Sequence, residues 1–117
     1  MNSLKDTKMR FADFELDTVK RLLLRNGETV ALNSKTLDLL EVLIERHGEV
    51  VTKDELLERI WTGQFVEESN LTVQISTLRK ALGEARGENR FVVTVPGKGY
   101  KFVAEKAETP DEIRIES

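Results

Sequence analysis

Apolar positions along the chain follow two periods, and the changeover between them divides the sequence into elements. Phe11-Ala12-Asp13-Phe14-Glu15-Leu16 is short and rich in strand-compatible residues. Lys20–Arg25 then meets Asn26-Gly27, and Glu28–Leu32 follows. Asn-Gly between two such runs predicts a hairpin, because both central residues of a type I′ turn need φ > 0. Leu37, Leu40, Val42, Leu43 and Ile44 then fall at helical spacing, behind a cap at Asn33 or Ser34 and ahead of Gly48. Thr52-Lys53-Asp54-Glu55 is a capping box for a second helix carrying Leu56, Leu57 and Ile60 and ending near Trp61 or Thr62. After a loop over 62–68, Ser69 is placed to cap a third helix that runs to about Leu82 and stops at Gly83. The two-residue period returns in Arg90–Val95 and Tyr100–Ala104, joined by the turn residues Pro96-Gly97-Lys98-Gly99. The pattern predicts an α+β domain over residues 10–104: an N-terminal antiparallel sheet, three helices and a C-terminal β-hairpin. Residues 1–9 are expected as an N-terminal tail and 105–117, acidic and containing Pro110, as a tail or linker.

The third helix carries the most information. At about 100° per residue from Leu71, Ile75 falls near 40°, Leu78 near 340° and Leu82 near 20°, a narrow stripe for the core. Opposite it lie Val73, Ser76, Thr77 and Lys80, flanked by Asn70 and Gln74. No Asp or Glu stands between Ser69 and Gly83. Amides can pair two-pronged with adenine, hydroxyls donate or accept, and an apolar side chain can meet a thymine methyl, so this face suits a major groove. An ordinary solvated surface is the alternative, although such faces more often mix Glu with Lys. Lys98 between two glycines can approach a phosphate closely; alternatively, Pro96 and the glycines only build the turn.

Charge changes the picture once it is resolved along the chain. The formal net charge is −3, which alone argues against a polyanionic partner. Residues 34–68, however, hold four cations against nine acids, and residues 69–104 hold six against two. One face is thereby made attractive to a polyanion. There is no Cys, so disulfides, thiolate metal sites and Cys nucleophiles are excluded. No apolar run approaches a membrane span and no secretory signal opens the chain, so a cytoplasmic location is expected. The single His47, beside Arg46 at a helix end, reads as a cation complementing the helix dipole. Without partners it makes no metal site, and Glu67-Glu68 and Asp54-Glu55 offer no converging acid–base pair, so neither enzyme chemistry nor a cofactor is expected.

A helix–turn–helix followed by a basic hairpin resembles a winged helix. More specifically, Leu32–Leu40, Gly48–Leu57 with Trp61, Val73–Leu82 and Thr94–Phe102 resemble the winged-helix DNA-binding domain of the OmpR/PhoB family of bacterial response regulators, closest in flavour to ToxR/CadC-like membrane-tethered activators. The resemblance implies a four-stranded N-terminal sheet, a recognition helix over about 69–82 in the major groove of double-stranded DNA, and a wing at 96–99 on the adjacent minor groove or phosphates. Phosphate-contacting positions map onto Trp61, Ser69, Asn70, Gln74, Ser76 and Thr94, base-reading positions onto Val73, Thr77 and Lys80, and wing contacts onto Lys98 and the neighbouring Tyr100. A second copy on tandem half-sites and RNA polymerase at loop 62–68 are the implied protein partners. Response-regulator versions tend to carry Arg where Ser69, Ser76, Thr77 and Pro96 stand here, so a shallow salt dependence, about 3–5 phosphates neutralised per monomer, is expected.

Some residues admit two readings. Trp61 reads as core, with its indole N–H left for a phosphate. Arg79, beside the buried stripe, is suited equally to an internal ion pair and to DNA. The leading expectation is sequence-specific DNA binding as the output domain of a transcriptional regulator. The alternative is a winged helix that docks an acidic protein, and no small-molecule substrate is expected. The acidic, Pro-containing end at Ser117 suggests a fragment of a longer protein, which would meet a membrane only through a missing segment.

Overall fold

The structure, a computed structural model, describes residues 8–84 and 90–104; residues 1–7 of the tail expected at 1–9, and the tail or linker expected at 105–117, lie outside these residues. Four strands, β1 (Lys8–Phe11), β2 (Phe14–Asp17), β3 (Leu22–Arg25) and β4 (Glu28–Val30), form an antiparallel meander in that order. Helices α1 (Ser34–Glu45), α2 (Lys53–Ile60) and α3 (Glu68–Ala81) follow. Strand β5 (Val50–Thr52), between α1 and α2, joins β6 (Val92–Val95) and β7 (Gly99–Phe102) in a second sheet of order β5-β7-β6. The expected α+β winged helix with its N-terminal sheet, three-helix core and terminal hairpin is the fold of the protein.

The stretch 11–16 is not one strand. Ala12-Asp13 reverses the chain, with Ala12 at φ 49°, and pairs Phe11 with Phe14 across the hairpin. Residues three apart on a single strand point to opposite faces. The reversal instead puts both phenyl rings inside, stacked at 5.1 Å. Because β1 pairs with β2 from Lys8 onward, the ordered sheet begins two residues inside the segment expected as a tail. Asn26 and Gly27, at φ 51° and 87°, make the anticipated turn between β3 and β4.

Helix starts follow local chemistry with one exception. The Thr36 N–H donates to Asn33 Oδ1 at 2.9 Å, and the Glu55 N–H donates to Thr52 Oγ1 at 3.1 Å. Ser69, by contrast, does not cap α3. The cap position lies two residues earlier, at Glu67, which makes no side-chain cap bond, and the helix begins at Glu68. Lys53 Nζ donates to Glu68 at 2.6 Å, tying this first turn to α2 and leaving a carboxylate at the positive end of the helix, where it is favoured. Arg46 pairs with Glu49 and Glu55. His47 does not serve the carbonyls of its own helix: its Nε2 donates to the Ala104 carbonyl at the end of the second sheet.

One core gathers side chains from both sheets and all three helices. Phe11, Phe14, Phe91 and Phe102 form an aromatic cluster with centroids 5.1–6.1 Å apart. Leu39, Leu40 and Leu43 of α1, Leu56 and Ile60 of α2, and Leu71, Ile75 and Leu78 of α3 complete it. The short β5 exists because β7 pairs with it, Thr52 opposite Gly99. A Cβ on Gly99 would lie 2.0 Å from the Val51 carbonyl oxygen, so only glycine allows this approach.

Candidate nucleic-acid interface

Burial of Leu71, Ile75, Leu78 and Leu82 fixes the rotation of α3, and with it the face turned outward. Val73 is 58% exposed, a large value for a Val in mid-helix. Ser69, Asn70, Ser76 and Lys80 are exposed around it, and Thr77 is half-buried. The Thr77 hydroxyl donates to the Val73 carbonyl at 3.0 Å, which leaves its oxygen lone pairs as acceptors. Asn70 Nδ2 donates to the Glu67 carbonyl at 3.3 Å. The residues expected on one helix face are therefore on one face, and Glu68, paired with Lys53, is the acid nearest its start. That hydrogen bond also holds the Lys53 ammonium above the usual lysine range.

Gln74 is less free than its position suggested. Its Oε1 accepts a 2.6 Å hydrogen bond from the hydroxyl of Thr36, a fully buried residue of α1. Among the described residues Arg79 has no ion-pair partner, yet it is not an open cation. Its Nη2 donates to the Val92 carbonyl at 2.8 Å and to Thr94 Oγ1 at 3.0 Å, and its Nε reaches the same carbonyl at 3.3 Å. The guanidinium clips α3 to β6. Thr94, though exposed, has its oxygen engaged by Arg79 and its proton still available for donation.

The hairpin tip is tied to Lys53, the same residue that reaches Glu68 at the start of α3. Gly97 takes φ 75°, the Lys98 N–H donates to the Val95 carbonyl at 3.0 Å, and the Lys98 carbonyl accepts from the Lys53 N–H at 3.1 Å. The tip is thereby anchored to the start of α2 while the Lys98 side chain stays exposed. The Tyr100 ring is 6% exposed and belongs to the core, which leaves little of it for a partner. Trp61 is 8% exposed, with Lys35 Nζ 5.7 Å above its ring; its indole N–H has no partner among the described residues.

Three features escaped sequence reasoning. The Arg79 clip and the Thr36–Gln74 bond join residues 13 and 38 positions apart, beyond any local pattern. Phe65, in the loop between α2 and α3, is fully exposed, and nothing in Gln64-Phe65-Val66 distinguishes it from a buried aromatic. A shallow cleft of about 280 Å³ lies elsewhere, between Arg10, Asp13, Leu24 and Asn26, with no lining residue from α3 or the wing. Among the described residues no cluster of His, Asp or Glu is arranged for a metal ion, and no helix is long and apolar enough to cross a membrane.

Comparison with known proteins adds to this geometry. Residues 27–102 match the family described as "Transcriptional regulatory protein, C terminal". The transcriptional regulator HilA of Salmonella typhimurium is 36% identical over 99 residues, covering 85% of this chain and 18% of HilA. The chain thus spans about a fifth of the length of that relative. Among solved structures, the Klebsiella pneumoniae RstA DNA-binding domain in complex with the RstA box superposes with a TM-score of 0.74 at 32% identity, covering 82% of this chain and 96% of that one. The DNA-binding domain of Escherichia coli CadC gives 0.76 at 28% identity, covering 88% and 97%.

Proposed function

This chain belongs to the family of C-terminal domains of transcriptional regulatory proteins, the OmpR/PhoB-type winged helices, and from that premise we propose that it reads double-stranded DNA sequence-specifically for a bacterial transcriptional regulator. The observation that carries the reading is the outward face of α3: a 58%-exposed Val73 on the same side as Ser69, Asn70, Ser76, Thr77 and Lys80, with Lys98 exposed at the hairpin tip. Apolar contact from Val73 suits a thymine methyl, the Thr77 oxygen an amino group, and Lys80 a guanine edge. Ser69, Asn70, Gln74, Ser76, Trp61 and Thr94 supply uncharged donors for the phosphates that frame the groove, and Lys98 takes the adjacent minor groove or its phosphates. Tyr100 supports the wing from within the core. The family is not an enzyme family, and catalysis has no place in this reading.

One module of this size buries only about 600–1,000 Å² on DNA, so a second copy on a neighbouring half-site supplies the remaining affinity. The loop before α3, with its fully exposed Phe65, is the surface offered to RNA polymerase. A selection of genomic fragments by the purified chain at about 100 mM salt tests the reading. Enrichment of two half-sites about 10–11 bp apart is expected. Weak, salt-sensitive binding with no enriched motif would overturn it.

A further inference from the structure

The bond between Thr36 and Gln74 decides which chemistry Gln74 presents. Thr36 is fully buried, and its hydroxyl donates to Gln74 Oε1 at 2.6 Å. No other acceptor for that hydroxyl proton stands among the described residues. Flipping the amide would put Nε2 against the hydroxyl oxygen and leave a buried proton without an acceptor, so one orientation is selected. The amide nitrogen then points away from α1, and no partner for it exists among the described residues. Gln74 is half-buried at the margin of the α3 face, about 60° from the core stripe and about 100° from Val73. Two-pronged pairing with adenine needs the amide oxygen turned toward the base as an acceptor, with the nitrogen donating beside it. Here the oxygen is turned inward.

Resting on the reading of α3 as the DNA-binding helix, we propose that Thr36 is a positioning residue: it orients the Gln74 amide as a pure donor, so that Gln74 grips a phosphate and expresses no preference for adenine. The margin of the helix meets the backbone while its centre meets the bases, which fits a donor-only group there.

The 117-residue chain tests this in two arms. Without DNA, NMR relaxation of the Gln74 side-chain amide should show it ordered in the wild type and in Thr36→Ser, and mobile in Thr36→Val, which keeps the side-chain shape and lacks the hydroxyl. With a duplex selected by the wild type, Gln74→Ala should weaken binding about tenfold, the size of one hydrogen bond to a charged acceptor. That loss should be uniform across sequences, and the salt slope should not change because an amide neutralises no phosphate. Thr36→Val should give a comparable loss, Thr36→Ser should restore affinity, and Thr36→Val/Gln74→Ala should be no worse than Gln74→Ala alone. Additive losses, a changed preference at one A·T pair in Gln74→Ala, or an ordered Gln74 amide in Thr36→Val would each overturn the proposal. If the wild type binds no duplex, the DNA reading fails. The amide's order in the free domain then still decides whether Thr36 positions Gln74.

Discussion

Replacing Arg79 with Met removes the clip between the recognition helix and the wing while keeping most of the side chain's length. The guanidinium makes contacts of 2.8 and 3.3 Å to one carbonyl and 3.0 Å to the Thr94 hydroxyl. That carbonyl belongs to Val92, which is fully buried, so the loss leaves an acceptor without its partner. A hydrogen bond from a charged donor contributes about 1.5–3 kcal/mol, and the stranded acceptor lies within that same range of cost. Partial exposure of Arg79 places the expected loss near the middle, about 2 kcal/mol. For a domain of this size that corresponds to a fall in Tm of roughly 8–16 °C, measurable by circular dichroism or calorimetry. Arginine on a recognition helix also invites the opposite assignment, a phosphate contact. That would predict an unchanged Tm and a salt slope of binding reduced by about 0.9. The clip predicts a lower Tm and an unchanged slope in titrations from 50 to 200 mM salt. Unchanged stability with a reduced slope would refute the reasoning.

Gly99→Ala should be more damaging, about 3 kcal/mol or more, because its Cβ meets the backbone of Val51 and Thr52, which a rotamer change cannot relieve. A melting curve within a few degrees of wild type would contradict that steric account. For the wild type, the slope of log affinity against log salt should lie at about −2.7 to −4.5 per monomer, from the 3–5 phosphates expected; a much steeper line would mean unseen cations take part. Glu41 is held above the usual carboxylate range, chiefly by burial and then by Glu45, despite Arg21. A raised folded pKa makes the folded state bind its proton more tightly, so this group lowers stability as pH rises through the carboxylate range. Glu41→Gln should therefore stabilise slightly at pH 7, by about 0.5 kcal/mol or less after solvent screening, with no gain near pH 4; equal effects at both pH values would exclude this origin. Phe65→Ala should leave the melt within about 0.5 kcal/mol of wild type and DNA affinity unchanged, since the ring touches solvent only, while transcription with RNA polymerase falls. Full transcription by that variant would remove the loop from the polymerase surface.

What was legible in the sequence was local. Asn26-Gly27 specified its turn, Asn33 and Thr52 their caps, and the spacing of Leu71, Ile75, Leu78 and Leu82 the buried side of α3, because each depends on neighbours within one turn of chain. What was not legible depended on distant partners. Strand β5 forms through β7, about fifty residues later in the chain, and its three residues carry no period of their own. The cap of α3 shifts from Ser69 to Glu67, and the carboxylate of Glu68, the first helical residue, meets Lys53 from another helix. The outward face of α3 exposes residues that the spacing put there, yet the hydrogen bonds of Gln74 and Arg79 are set by Thr36 and by the backbone of β6. A helical wheel gives direction; the partner across the gap decides what remains to be offered.

Strand β6 lies at the outer edge of its sheet, where an unpaired ladder invites another chain. Here both backbone groups of Val92 are already satisfied by side chains: its N–H donates to Glu84 at 3.2 Å and its carbonyl accepts from Arg79. An incoming strand would have to displace an acid and a base together before forming its first rung. Strand addition, the ordinary route to fibres and swapped dimers, is blocked at the inner half of that edge. At Val92 this edge is thus guarded by two charged side chains of opposite sign, one reaching each backbone group.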